Sequence, residues 1–230
     1  MGFEAVTYDD VRELIRSGDL VVFNRDGLIS MMGRRGGSHA ATAVWRHADQ
    51  NSLGLAETRE GVGGRVVSLK HQVKLYPGCI DVYTPTDECP DELRERAATI
   101  AYNWSGRSYG YKRFGAMSVV ESPLAFSIAR WFGYDPDFED LIPSPWDELK
   151  VCSQQHAWAY RWAKLELAGL LKVLDAKRID QLDVSELLRW RACLAQGWDP
   201  CRGLGDRWVT PADLSRSFAY RPLAKGLVIA

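Results

Sequence analysis

The chain carries almost no net charge: 29 lysines and arginines stand against 30 aspartates and glutamates over 230 residues, a formal charge of −1. That balance removes the electrostatic footprint a nucleic-acid binder needs, and the basic runs "RGGSHAATAVWR" and "AKR" are too sparse to track a phosphate backbone, so no DNA or RNA partner is expected. Long apolar runs are missing as well. Nothing approaches the roughly 18 uninterrupted apolar residues of a membrane span. The start, "MGFEAVTYDDVRELIRSGD", is a charged amphipathic pattern with no secretory signal, and Gly2 lacks the Ser or Thr that the myristoylation motif requires. The expectation is a cytoplasmic product as synthesised, delivered elsewhere only by lysis or a dedicated secretion system. Cysteine pairs are also absent: the five cysteines, at 79, 89, 152, 193 and 201, form no CxxC and cannot all pair with one another. Free thiols in a reducing compartment follow, and a four-ligand zinc site is disfavoured. Internal repeats and low-complexity tracts are not seen.

What is present divides into two patterns. Residues 7–17, "TYDDVRELIRS", read as a helix capped by Thr7, with Asp9 and Asp10 in its first turn, Val11, Leu14 and Ile15 on one face, and Gly18 as its stop. Short β-branched or apolar runs follow: "DLVVF", "HAATAVWR", "SLGLAET", "GRVVSLKHQV" and "CIDVYTP". They predict an antiparallel meander over the first hundred residues. From "PDELRERAATIAYNWSG" onward the period becomes helical, with Asp91 opening a run that ends at Gly106. "AMSVVESPLAFSIARWFG" reads as a helix interrupted near Pro123, and "DPDFEDLIPSPWDELK" as an acidic, proline-rich insertion. A helix beginning near Cys152 comes next. "DVSELLRWRACLAQ" predicts another, and "VTPADLSRSFAYRPL" pairs an N-cap at Thr210 with Pro211 at the first helical position. One domain over 1–230 is expected, with insertions at about 118–150 and 178–208 that supply cleft walls or a protein-partner surface.

The chemistry concentrates at "VCSQQHAWAY". A thiolate is a nucleophile, and the unpaired N–H groups and aligned dipoles of a helix N-terminus lower the pKa of a cysteine in the first turn. Cys152 alone among the five has that placement. Burial as a small hydrophobe is the ordinary alternative for any cysteine. A thiol nucleophile needs a base, usually an imidazole held by a third polar group. His39 opens a strand beside the flexible "GRRGGS", and Glu57 lies near the end of the next strand, so antiparallel pairing brings a carboxylate beside that imidazole. His156, one helical turn after Cys152, competes as a base but points down the helix away from its mouth, where a buried, hydrogen-bonded imidazole is the ordinary outcome. His47 and His71 sit in polar surroundings. The tryptophans at 104, 131, 146, 158, 162, 190, 198 and 208 serve the core or line an apolar groove, with core packing expected for Trp158 and Trp162.

The ordered set "GDLVVF", "SHAATAV", "AETREGV", "SYGYKRF", "VCSQQHAWAY" and "TPADLSRS" resembles the permuted papain-like cysteine hydrolases of the YiiX type, relatives of the NlpC-like cell-wall peptidases and of lecithin retinol acyltransferase. The resemblance spans about residues 17–217. It implies an α+β, circularly permuted papain-like fold, an antiparallel meander or barrel packed against the cysteine helix. It implies Cys152 as nucleophile, His39 as base and Glu57 as the acidic third member, and it places Tyr109 near the cleft. The implied activity is cleavage of an amide bond in a peptide or peptidoglycan-like substrate through an acyl-enzyme. The same fold also serves lipid acyltransferases and thioesterases, whose substrate would be an acyl lipid, and an idle binding module is the non-enzymatic alternative. The resemblance calls for no metal and no organic cofactor.

Overall fold

A computed structural model of the chain describes residues 6–25, 37–45, 52–59, 61–107, 152–171, 183–202 and 209–229. The first element is a short helix, α1 (Tyr8–Val11), capped by the Thr7 side chain, which accepts from the Asp10 N–H. The helix expected over 7–17 tightens after Val11 into a 3-10 turn, Arg12–Leu14. The change of period rotates Leu14 out to solvent, 59% exposed, while Val11 and Ile15 stay buried; the expectation of Leu14 on the apolar face is thereby corrected.

The strands are β1 (Leu20–Asn24), β2 (His39–Trp45), β3 (Leu53–Arg59), β4 (Gly63–Ser68), β5 (Cys79–Pro85) and β6 (Tyr220–Ala224). They form one antiparallel sheet in the order β4-β3-β2-β1-β5-β6. The meander holds for β1 to β4. β5 then returns to the free side of β1, and β6, which was not expected, closes that side. Among the described residues the sheet is open, with β4 and β6 at its margins, so the barrel alternative is not what is seen. The expected strand over 64–73 ends at Ser68, whose side chain caps a helix, α2 (Leu69–Leu75), by accepting from the His71 N–H. A serine at an N-cap followed by Leu69 and Gln72 turned inward explains the switch.

Alternation along the strands feeds two cores. Leu20, Val22, Ala40, Val44 and Ala56 join one cluster; Val21, Phe23, Ala41, Ala43 and Leu55 join the other. The first face is covered by α3 (Asp91–Asn103) and α4 (Cys152–Leu167), the second by α1, α2 and Leu227 beyond β6. α5 (Val184–Ala195) packs against α4 and carries a capping box between Asp183 and Glu186. α6 (Pro211–Arg216) shows the Thr210 cap and Pro211 start read from the sequence, but runs only six residues before the chain turns into β6.

α4 is buried along most of its length, from Cys152 through Tyr160. Ala157, Ala159 and Ala163 are small where α3 and the sheet press closest, and Tyr160 reaches across to donate its hydroxyl hydrogen to the Gly18 carbonyl at 2.6 Å. Trp158 is buried and Trp162 half-buried in the same core, as expected of core residues, and Trp104, Trp190 and Trp198 are buried too. Trp131, Trp146 and Trp208, the insertion over 118–150 and the segment at Pro123 lie outside the described residues. No helix among the described residues is long and apolar enough to cross a membrane.

Candidate active site

Three neighbouring strands and one helix end build the site. His39 is the first residue of β2, and the backbone before it is anchored twice to β1. The Ser38 N–H and hydroxyl both donate to the Phe23 carbonyl, at 2.6 and 3.0 Å, and the same hydroxyl is 2.9 Å from the Tyr76 hydroxyl. Phe23 stacks at a tilt on the imidazole, with ring centroids 5.2 Å apart. Gly37 allows this close entry: its φ is +80°, and a Cβ there would stand 2.9 Å from Val22 and 3.0 Å from Pro211. A side chain at that position would displace α6 or β1.

β2 and β3 pair with Thr42 opposite Ala56, which places Glu57 diagonally from His39. The diagonal is close enough for a direct contact. His39 Nε2 lies 2.7 Å from Glu57 Oε2, with Glu57 only 1% exposed. Glu57 also faces its direct partner on β4, Arg65, which the sequence reading did not single out. Arg65 Nε donates to Glu57 Oε1 at 2.7 Å, and Nη2 stands 2.6 Å from the same oxygen. The signal was present in the register: Arg65 interrupts the β-branched run "GGRVVS" on the strand that any antiparallel continuation sets beside "LAET".

Cys152 supplies the fourth side chain, from the first residue of α4, and interacts with His39 by charge and by hydrogen bond. With Nε2 committed to Glu57, Nδ1 is the nitrogen left for the thiol. Burial by itself raises the Cys152 pKa, but the His39 charge and hydrogen bond, with backbone hydrogen bonds from Ala40 and Ser153, hold it below the ordinary thiol value. Burial likewise pushes His39 down, yet the thiolate and Glu57 outweigh it and lift the imidazole to about 9. Glu57 is held low by His39 and Arg65 against the opposing effect of burial. The lowered thiol and the raised imidazole thus favour the charged pair, thiolate and imidazolium, beside the carboxylate and the guanidinium.

Cys89 and Cys193 contrast with this. Burial pushes Cys89 up to about 12 and raises Cys193 as well. His156 is wholly buried, Nδ1 2.8 Å from the Thr42 hydroxyl and Nε2 2.6 Å from the Tyr220 hydroxyl, and burial drives it down to about 3. It is a neutral core imidazole, the ordinary outcome weighed for it from the helix geometry. His71 is exposed on α2. Tyr109 and His47 lie outside the described residues. Among the described residues, no group of three or more His, Cys, Asp or Glu side chains is arranged to hold a metal ion.

The fold is α+β, a six-stranded antiparallel sheet with helices on both faces, and its site sets a thiol, an imidazole and a carboxylate side by side. Among solved structures, the crystal structure of metalloprotein yiiX from Escherichia coli O157:H7 is similar to this chain. The TM-score is 0.48 and the sequence identity 15%, over 91% of this chain and 97% of that one. No protein-family model matches the chain, and no curated protein matches it.

Proposed function

We propose that the chain is a cysteine hydrolase that cleaves an amide bond in a peptide or peptidoglycan-like substrate, on a permuted papain-like fold in which the histidine strand precedes the cysteine helix. One observation carries this reading. Cys152 opens a buried helix against His39, whose far nitrogen is held by Glu57 at 2.7 Å. A merely structural cysteine in a core has its pKa raised, as Cys89 has; this one is lowered by a specific partner.

The chemistry follows from the row. His39 holds the proton taken from Cys152, and the thiolate attacks the carbonyl carbon, whose π pair moves to oxygen. The oxyanion is met by the Cys152 N–H at the helix start and a further local donor. Collapse of the tetrahedral adduct breaks the C–N bond, and the leaving amine takes the proton from His39. The acyl group is now a thioester on Cys152. A water, deprotonated by His39, adds to it, and the second collapse returns the carboxylic acid and the free thiol. Glu57 holds one imidazole orientation throughout and supports its positive form.

The test is turnover of peptide, muropeptide and acyl-thioester panels by the wild type and by Cys152→Ala. The expected outcome is hydrolysis of a peptide-like amide that falls on the order of 10³-fold or more in the variant, with an unchanged far-UV spectrum and melting temperature. Turnover retained by a folded Cys152→Ala protein would sink the mechanism. Preference for the acyl thioesters would move the substrate to lipids.

A further inference from the structure

We infer that Arg65 is a positioning residue of the site: it claims one oxygen of Glu57 so that the other is committed, charged and correctly aimed, to His39. The inference rests on the hydrolase reading above and extends it from three residues to four. Its basis is the division of the carboxylate. Both Arg65 contacts, 2.7 Å from Nε and 2.6 Å from Nη2, fall on Oε1, and the 2.7 Å contact with His39 Nε2 falls on Oε2.

A carboxylate this deeply buried is costly to ionise alone, and the usual response is to take up a proton. A neutral Glu57 would weaken the imidazolium and, through it, the thiolate. Arg65 removes that escape, because a guanidinium stays charged at any working pH and its Nε–H donates to Oε1 at 2.7 Å. It also balances the site. Thiolate and carboxylate are matched by imidazolium and guanidinium, so the buried row carries no net charge; without Arg65 it carries one uncompensated negative charge.

Among the described residues, few other ionisable groups face this row. Glu57 meets His39 from β2 and Arg65 from β4, and His39 meets Cys152 from α4. From α2, Lys70 is engaged by Asp9 at 3.4 Å, while His71 and Lys74 are exposed. From α3, Arg94 is bound to Asp19, and Glu95 and Arg96 are exposed. α4 presents the neutral Gln155 to Thr58. The alternating row is therefore the local electrostatic unit.

The experiment reads the thiolate directly and needs no substrate: site-resolved iodoacetamide labelling of Cys152 from pH 5 to 9, by peptide mass spectrometry, on the full chain. The wild type should label fast at pH 6. Arg65→Met should move the acid limb of the rate profile upward by about one pH unit, roughly a tenfold slower rate at pH 6. Arg65→Lys, which keeps the charge, should recover most of that loss. In the Glu57→Gln background Arg65→Met should add no further shift, since the arginine acts through the carboxylate. That double variant also removes both partners of the buried pair, so it keeps the question answerable if Arg65→Met alone fails to fold. A folded Arg65→Met protein with the wild-type profile, or a further shift in the Glu57→Gln background, overturns the inference. A wild type whose Cys152 does not label at pH 6 overturns the hydrolase reading itself.

Discussion

At the scale of single residues, the half-buried His39 and the wholly buried His156 make the instructive comparison. His39 and His156 both touch α4, yet one is lifted to about 9 and the other is driven to about 3. Burial acts in the same direction on both; the difference is what stands beside the ring. His156 meets two hydroxyls, which satisfy its nitrogens without favouring a charge. His39 meets a thiolate and a carboxylate, each of which does favour one. Removing the thiolate should therefore lower His39: in Cys152→Ala, with Glu57 still in place, its titration by NMR should fall well below that of the wild type. An unchanged His39 titration would mean that the thiol and the imidazole do not interact. The placement of His39, Glu57 and Cys152 in one constellation was readable from strand order and a helix start. Arg65 was not picked out, because an arginine on a strand is ordinarily a solvated residue and only the register of β4 against β3 turns it into a partner.

At the scale of elements, the position of Cys152 depends on how α4 is seated, and the seat is made by contacts remote from the thiol. Tyr160, two turns along the helix, is tied to the Gly18 carbonyl just ahead of β1. Gly18 has φ +87°, and a Cβ there would stand 2.6 Å from the Tyr160 hydroxyl and 3.1 Å from the Arg94 carbonyl. Gly18→Ala therefore combines a left-handed backbone with a clash against the helix. It should cost about 1–3 kcal/mol and lower the melting temperature by several degrees, as read by calorimetry. A neutral effect would mean that α4 shifts freely on the sheet. Helix starts and strands were read well where a cap or a β-branched or apolar run marks them, as at Thr210 and "HAATAVW". The run 64–73 misled because Val66, Val67, Leu69 and Val73 suit either period, and the serine cap decided in favour of a helix after Ser68. β6 was missed because "YRPLA" holds a proline and shows little alternation. Such a segment is tolerated only at a sheet margin, which is where it lies.

At the scale of the whole molecule, the perturbed groups set how stability depends on pH. His156 folds with its pKa depressed from 6.5 to about 3, so the unfolded chain binds the extra proton between those values and stability is lost as pH falls from 6.5. Glu57, also depressed, adds a loss below 4.5. Asp19 opposes this in part: burial raises it to about 6 despite Arg94, so folding gains on acidification from 6 to 3.8. His39, raised to about 9, stabilises fully below 6.5 and loses that contribution as pH rises through 9, while the lowered Cys152 gives its full contribution above 9 and loses it as pH falls. From 6.5 to 9 the two therefore oppose each other, His39 losing its contribution as pH rises and Cys152 gaining its own. Urea denaturation should give a lower midpoint at pH 4 than at pH 7, because the losses from His156 and Glu57 exceed the gain from Asp19. A rising midpoint on acidification would mean that Asp19 outweighs His156 and Glu57.

Much of this protein was written into local sequence. β-branched and apolar runs placed five of the six strands among the described residues, caps at Thr7 and Thr210 placed two helix starts, and the near-zero charge with no long apolar run narrowed the chemistry to a folded domain with a thiol at a helix end. These properties are local because hydrophobic period and capping act over a few neighbours. Whether Cys152 is a core residue or a nucleophile is not local. It depends on a histidine 113 positions earlier in the chain, on the carboxylate that sheet pairing lays beside that histidine, and on an arginine one strand further on. Charge–charge coupling acts through space, and only the packed fold fixes those distances and excludes the water that would screen them.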